Sequence, residues 1–211
     1  MTPAEITKAS FWDRSARRYA ARPVADEKAY QTTLELTRAW LKPTDQVLEI
    51  GCGTGSTAIR LAPHADRITG SDISPEMIAI AEERCREAGP GNVSFLAAAL
   101  SDARLELTVF DAVIAFNVLH LLEDLPAALV RAGKLLKPGG LLISKTPCLG
   151  DMSVLLRLVI PAMQLFGKAP PVSYFGKDAL RRAMDEAGFD IEESGLHAAG
   201  GHSLFIVARK R

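Results

Sequence analysis

The ten residues Val47-Leu48-Glu49-Ile50-Gly51-Cys52-Gly53-Thr54-Gly55-Ser56 constrain this chain more than any other stretch. A short run, apolar except for Glu49, passes into a turn with glycine at every second position, and a helical pattern follows. The run suits a buried parallel strand. Alternating glycines let the backbone turn sharply and bring it close to a ligand with no side chain between. This stretch predicts a small-molecule cleft at the head of a first strand, and the rest of the chain has to say which molecule.

Bulk properties narrow the choice. The chain has 211 residues, enough for one domain with a full core. Its 25 basic and 25 acidic residues give a formal net charge of +0. That removes the sequence-independent pull toward phosphate backbones, so no nucleic-acid partner is expected. Cys52, Cys85 and Cys148 are too widely spaced for a disulfide or metal framework and read as reduced thiols. No metal site is expected. The start, Met1-Thr2-Pro3-Ala4-Glu5, lacks the layout of a signal peptide. No apolar run approaches the roughly 20 residues that span a bilayer. A cytoplasmic chain without stable membrane insertion is expected.

Residues 1–42 read as a helical leader with a break near Arg22-Pro23. Its aromatic residues, Trp12, Tyr19 and Tyr30, suit either packing on the body or a flap over the cleft. From residue 46 strands and helices alternate, which predicts a parallel sheet covered by helices on both faces. Strands are expected at 46–50, 67–72, 93–98, 110–116 and 141–145. A helix over 56–61 stops at Pro63. Another is capped by Ser74, carries Pro75 at its first position and ends at Gly89-Pro90. A third opens at Asp124 and Pro126 and runs to Lys137.

Residues 148–175 interrupt the alternation with an apolar run, Val154 to Ile160, broken by Pro161. Three roles fit it: a helix packed on the body or on a second copy in a homodimer, a lid over an apolar substrate, or a membrane-surface contact. The lack of a basic amphipathic face counts against the last. Regularity resumes with an amphipathic helix over 179–187, ended by Gly188. Strands over 189–192 and 204–208 form an antiparallel pair.

In open sheets of this kind the ligand sits beyond the carboxyl ends of the strands, where strand order reverses. Asp72 ends the second strand 17 positions after Gly55, placed to hold a ribose diol. A dinucleotide and S-adenosylmethionine share those needs. Three details favour the second. Ser56 stands where the dinucleotide fingerprint has Gly or Ala. Glu49 suits an ammonium and repels a pyrophosphate. Lys137-Pro138-Gly139-Gly140 makes a tight turn into the fifth strand.

Together these motifs resemble the class I S-adenosylmethionine-dependent methyltransferases, most closely the small-molecule branch of the ubiquinone/menaquinone-biosynthesis type (methyltransferase type 11). The segments that carry the resemblance are Val47 to Gly55, Ser71 to Met77, Phe110 to Val113, Asn117 to His120 and Leu136 to Gly140. It implies an α/β, doubly wound, Rossmann-like sheet of seven mostly parallel strands, order 3-2-1-4-5-7-6, strand 7 antiparallel. The whole chain, 1–211, is expected to be one methyltransferase domain.

The resemblance also implies a site. Glu49, Gly51, Cys52, Gly53 and Gly55 would line the methionine arm, and Asp72 would hold the ribose. Ile73 and Met77 would pack near the adenine, Asn117 would lie beside the sulfonium, and Tyr19 would close from the leader. The family usually places an acid after the third strand to bind the adenine amino group. Ala99 stands there, leaving the Leu100 backbone or Asp102 to substitute. His120 is the candidate general base, with a usual pKa near 6.5, and a structural role at a helix start also fits it. His197 and His202 are weaker candidates.

The expected reaction is methyl transfer by in-line displacement to a small, mostly hydrophobic acceptor, with S-adenosyl-L-methionine as cofactor. The alternatives are a nicotinamide-dependent oxidoreductase and a non-catalytic S-adenosylmethionine-binding protein. Asn117-Val118-Leu119 differs from the Asn/Asp-Pro-Pro-aromatic turn of DNA amino-methyltransferases. Cys148 lies near the nucleophile position of RNA cytosine methyltransferases, but the second cysteine and the basic character of those enzymes are missing.

Overall fold

The computed structural model describes residues 2–196 and 203–211. The leader forms two helices. In α1 (Pro3–Ala20), Thr2 accepts from the Glu5 amide while the Glu5 carboxylate accepts from the Thr2 amide, a reciprocal cap that satisfies two otherwise unpaired donors. Asp26 caps α2 (Glu27–Arg38), whose Leu34 and Thr37 face the body. Then come β1 (Gln46–Ile50), α3 (Ser56–Leu61), β2 (Arg67–Asp72), α4 (Pro75–Ala88), β3 (Val93–Ala97), β4 (Phe110–Phe116), α5 (Leu125–Leu135), β5 (Leu136–Pro147), α6 (Val154–Leu165), α7 (Lys177–Glu186), β6 (Phe189–Leu196) and β7 (Ser203–Lys210).

The strands form one sheet in the order β3-β2-β1-β4-β5-β7-β6, and β7 runs antiparallel to both its neighbours. Strand order reverses at β1, which pairs in parallel with β2 on one side and β4 on the other. Successive β1 residues serve opposite faces. Leu48 and Ile50 pack with Leu129, Leu180 and Met184 under α5 and α7. Val47 packs with Leu34, Ala58, Leu61 and Ile143 under α2 and α3. Each such side chain contributes about 1.5–3 kcal/mol on full burial, so the double cover explains why the strands are apolar on both sides.

Several boundaries differ from the sequence reading, most of them by one or two residues and three of them by more. Helix α5 stops at Leu135, and β5 starts at Leu136, opposite Phe110, five residues before the expected strand. The Pro138-Gly139-Gly140 segment bulges out of the ladder before pairing resumes at Leu141 with Ala112. The Lys137 ammonium fixes the bulge by donating to both Asp111 oxygens, at 2.8 and 2.9 Å. Pro161 lies inside α6, which continues to Leu165. Strand β6 runs to Leu196, since β7 offers it a ladder along that whole length.

The insertion is the least covered part. Val159, Met163, Leu165 and Phe166 are all exposed, Leu165 by 84%. Ser173 ties its far end to the body, its amide donating to the His120 carbonyl at 2.7 Å and its hydroxyl to the Leu122 carbonyl at 2.6 Å. Among the described residues no helix is long and apolar enough to cross a membrane.

Candidate active site

The three glycines after β1 all have positive φ, between 52° and 77°, a region costly to residues with a Cβ. Their surroundings separate them. A Cβ on Gly51 would lie 2.5 Å from Val118 Cγ2, and one on Gly55 would lie 2.6 Å from Phe95 Cζ and 2.9 Å from Ala81 Cβ. Protein atoms already press on both. A Cβ on Gly53 would meet only Tyr19 Cε1, at 4.0 Å. Gly53 is therefore the glycine with free space above it, roofed by an aromatic ring from α1. Cys52, between them, is buried, and burial raises its thiol pKa well above the usual value.

Asp72 faces the same turn. Its Oδ2 accepts from the Gly53 amide and its Oδ1 from the Ser74 amide, each at 2.9 Å. Burial raises its pKa, and these amides work against the shift. Each oxygen keeps acceptor capacity for a further donor. Glu49 is more extreme. It is 3% exposed, and its Oε2 has no hydrogen-bond partner among the described residues. Burial pushes its pKa up to about 8, with the nearby Asp72 charge adding to the rise and the Ala58 amide and Thr57 hydroxyl opposing it. An unpaired buried carboxylate is costly, and a ligand cation would remove the cost.

Helix α1 lies across this end of the sheet and is clipped to four different connections. Glu5 accepts from Ser101 beyond β3 at 2.8 Å. Lys8 donates to the Leu121 carbonyl beyond β4 at 2.8 Å. Asp13 accepts from the Ser74 hydroxyl beyond β2 at 2.5 Å. Arg84 joins the Ala20 carbonyl to Thr54, 2.7 Å from each. Trp12 meets the Tyr19 ring edge-on at 6.1 Å. Burial and then the Asp72 and Glu49 charges raise the Tyr19 phenol pKa, as its position over the two acids requires. Sequence reasoning singled out Tyr19 but missed Asp13, Arg84 and Phe95.

The other predicted residues sit around this centre at different depths. Asn117 is exposed, with φ 54°, at the turn after β4, and its amide donates to the Lys145 carbonyl at 2.8 Å. Ile73 and Leu100 are half-buried, and the Leu100 carbonyl accepts from Arg131 Nε at 3.2 Å. Met77 is 1% exposed and is a core side chain in this conformation. Ala99 is buried. The Asp102 carboxylate is taken by Arg104, whose hydrogen bonds hold its pKa down to about 2.

His120 lies in a short turn after β4. Its Nδ1 is buried with no partner among the described residues, and burial lowers its pKa to about 4, so the imidazole is neutral at pH 7. Cys148 is 0% exposed with its thiol pKa raised, first by burial, which does not suit a nucleophile. His197 and His202 lie outside the described residues. Among the described residues no group of three or more His, Cys, Asp or Glu side chains is placed to hold a metal. A cavity of about 480 Å³ lies between the α5 start and α7, lined among others by Glu123, Asp124, Ser173, Phe175 and Arg182.

The centre thus gathers a buried carboxyl with one unpartnered oxygen, an acid with spare acceptor capacity and a backbone turn open at Gly53. A family model described as a methyltransferase domain matches residues 47–140. The ubiquinone biosynthesis O-methyltransferase of Xanthomonas axonopodis pv. citri is 33% identical over 172 residues, which cover 76% of this chain and 69% of that protein. An uncharacterized methyltransferase of Mycobacterium tuberculosis is 38% identical over 99 residues, 47% of this chain and 49% of that protein, so the chain spans about half the length of its mycobacterial relatives. The magnesium protoporphyrin IX methyltransferase of Synechocystis PCC 6803, solved with bound SAH, has the same fold, with a TM-score of 0.75 at 23% identity over 99% of this chain and 100% of that one. With the strand order, the glycine turn and the two acids in place, this chain belongs to the class I S-adenosylmethionine-dependent methyltransferases.

Proposed function

We propose that this chain transfers a methyl group from S-adenosylmethionine to a small, mostly apolar acceptor. The observation that carries the reading is the buried Glu49 carboxyl, whose Oε2 has no partner among the described residues, close to Asp72 and the open turn at Gly53. When bound, the cofactor supplies a methyl already activated by the positive sulfur. The chain's residues supply position. Glu49 holds the ammonium, Asp72 the ribose hydroxyls, and Gly53 lets the backbone approach the methionine arm beneath Tyr19. Asn117, exposed at the turn after β4, lies beside the sulfonium. Holding two reactants in line is worth effective molarities of about 10⁵–10⁸ M, so positioning carries most of the rate.

His120 is the group for acceptors that must lose a proton. It is neutral at pH 7, and its Nδ1 has no hydrogen-bond partner among the described residues. The apolar character assigned to the acceptor rests on α6 and the segment after it, where Val159, Met163, Leu165 and Phe166 are exposed and the chain returns to the body at Ser173 on the His120 carbonyl. A lid of that composition favours an acceptor with little charge. The leader acts as the flap over the cofactor half of the cleft.

Calorimetric titration with S-adenosylmethionine and S-adenosylhomocysteine, followed by assay of methyl transfer to a panel of hydroxylated aromatic and isoprenoid acceptors, tests this reading. Tight binding of both ligands and turnover with at least one apolar acceptor is the expected result. Absence of heat with either ligand would sink it. Turnover restricted to charged acceptors would sink the apolar assignment alone.

A further inference from the structure

One side chain joins the roof of the cleft to the glycine turn. Arg84, on α4, donates through Nη1 to Thr54 Oγ1 at 2.7 Å and Ser56 Oγ at 3.2 Å, and through Nη2 to the Ala20 carbonyl at 2.7 Å. Thr54 lies inside the turn and Ser56 opens α3. Ala20 is the last residue of α1, next to Tyr19. The last carbonyls of a helix lack partners of their own and carry partial negative charge. Arg84 supplies both the donor and the positive charge. A planar guanidinium reaches acceptors on two separate segments at once, which a lysine ammonium on a flexible stem does poorly.

We propose that Arg84 is a positioning residue that latches α1 down on the cofactor. The proposal rests on the reading of this site as the S-adenosylmethionine site. Half-exposed Tyr19 stands above Gly53, so on this proposal a ligand on the turn exchanges as the Tyr19 end of α1 lifts. The segment 21–26, which contains Pro23, joins α1 to α2 without helix and is the joint for that movement. The other clips hold α1 to the connections after β2, β3 and β4, whereas Arg84 alone among them holds it to the turn itself. Lifting α1 breaks the Ala20 bond and leaves Arg84 on Thr54 and Ser56. Closing restores all three. A bound ligand favours the closed arrangement, so by linkage the latch must favour the bound ligand. Removing it shortens residence on the enzyme and leaves Glu49 and Asp72 intact.

The test uses the full chain with Trp40→Phe, so that fluorescence reports Trp12 on α1. S-adenosylhomocysteine dissociation is followed by stopped flow in the parent, Arg84→Ala, Arg84→Lys and Asp72→Ala, with amide hydrogen exchange of each. Loss of a charge-assisted hydrogen bond predicts release about tenfold faster or more in Arg84→Ala, with α1 exchanging faster and α4 unchanged. Arg84→Lys should recover only part of the effect and carries the test if the alanine variant does not fold. Unchanged release overturns the proposal, as does equal loss of protection in α1 and α4, which would mark a merely structural arginine. Asp72→Ala separates the two readings. Lost binding there with α1 exchange unaltered supports the site, and failure of the parent to bind overturns site and latch together.

Discussion

The Gly53 amide and the Asp72 carboxylate are locked together across the switch point of the sheet, 2.9 Å from N to Oδ2, with Ser74 holding the other carboxylate oxygen at the same distance. The acid thus orders the turn and keeps capacity for a ligand. Asp72→Ala should weaken S-adenosylmethionine binding about 10- to 100-fold, the range for hydrogen bonds to a charged group. Asp72→Asn should fall between, because an amide cannot accept from both N–H groups. Calorimetry on both variants measures this, and equal affinity in all three proteins would remove the ribose assignment.

Glu49 makes stability and binding depend on pH. Its pKa, about 8 in the folded chain, lies above that of a carboxyl in an unfolded chain. Between those values the folded state holds a proton that the unfolded state has released. Stability is therefore greatest below the unfolded value and falls as pH rises through 8. Glu49→Gln should flatten that decline in thermal scans from pH 5 to 9. On the proposed reading, ligand binding at pH 7 converts Glu49 to its carboxylate and releases a proton. Titrations in buffers of different ionisation enthalpy should show that release in the parent and not in Glu49→Gln.

The turn glycines should separate into two kinds. Gly55→Ala places a methyl 2.6 Å from Phe95 and adds strain at φ 77°, so it should cost roughly 2–4 kcal/mol in urea denaturation. Gly51→Ala should behave alike, and adding Val118→Ala should restore part of the loss. Gly53→Ala meets nothing closer than 4.0 Å. It should cost only about 1–2 kcal/mol for its positive φ while weakening cofactor binding most. An order of binding losses that follows the order of stability losses would refute this division.

His120 has the opposite linkage to Glu49. Its folded pKa of about 4 lies below the unfolded value near 6.5, so the unfolded chain binds the extra proton between them. Its contribution is fully present above 6.5 and is lost as pH falls through 4. His120→Phe, which removes a buried unpartnered nitrogen, should keep or raise stability at pH 7 and remove that acid dependence. If His120 accepts the acceptor's proton, the same variant should lower kcat about 10²–10⁴-fold with cofactor affinity unchanged.

What could be read from the sequence was local. The β1 run and its glycines, the Ser74-Pro75 cap, the Gly89 stop and the acid at Asp72 each announce themselves within a few residues, because capping and φ preference are local effects. Strand order followed from the resemblance those motifs carry. The tertiary contacts were not legible. Asp13 meets Ser74 61 positions away, and Arg84 meets Ala20 64 positions away. No periodicity encodes such a pair. The β5 start was misplaced because Pro138-Gly139-Gly140 looks like a boundary, whereas the Lys137–Asp111 contact makes it a bulge within a strand. Equal spacing also made the three glycines look equivalent, and only Val118, Phe95 and Tyr19 distinguish them.

Val118 over Gly51 ties together two regions that an engineer would wish to alter independently. On the proposed reading, the loop 117–121 borders the acceptor, while the turn it presses on grips the cofactor. Carving that loop to admit a bulkier acceptor would loosen the grip as well, and filling it would strain the turn. New acceptor scope is therefore better sought in the 149–175 segment, whose exposed apolar residues carry no such shared wall. On that reading the fold divides its two tasks unevenly, with the cofactor side fixed by contact and the acceptor side left room to change.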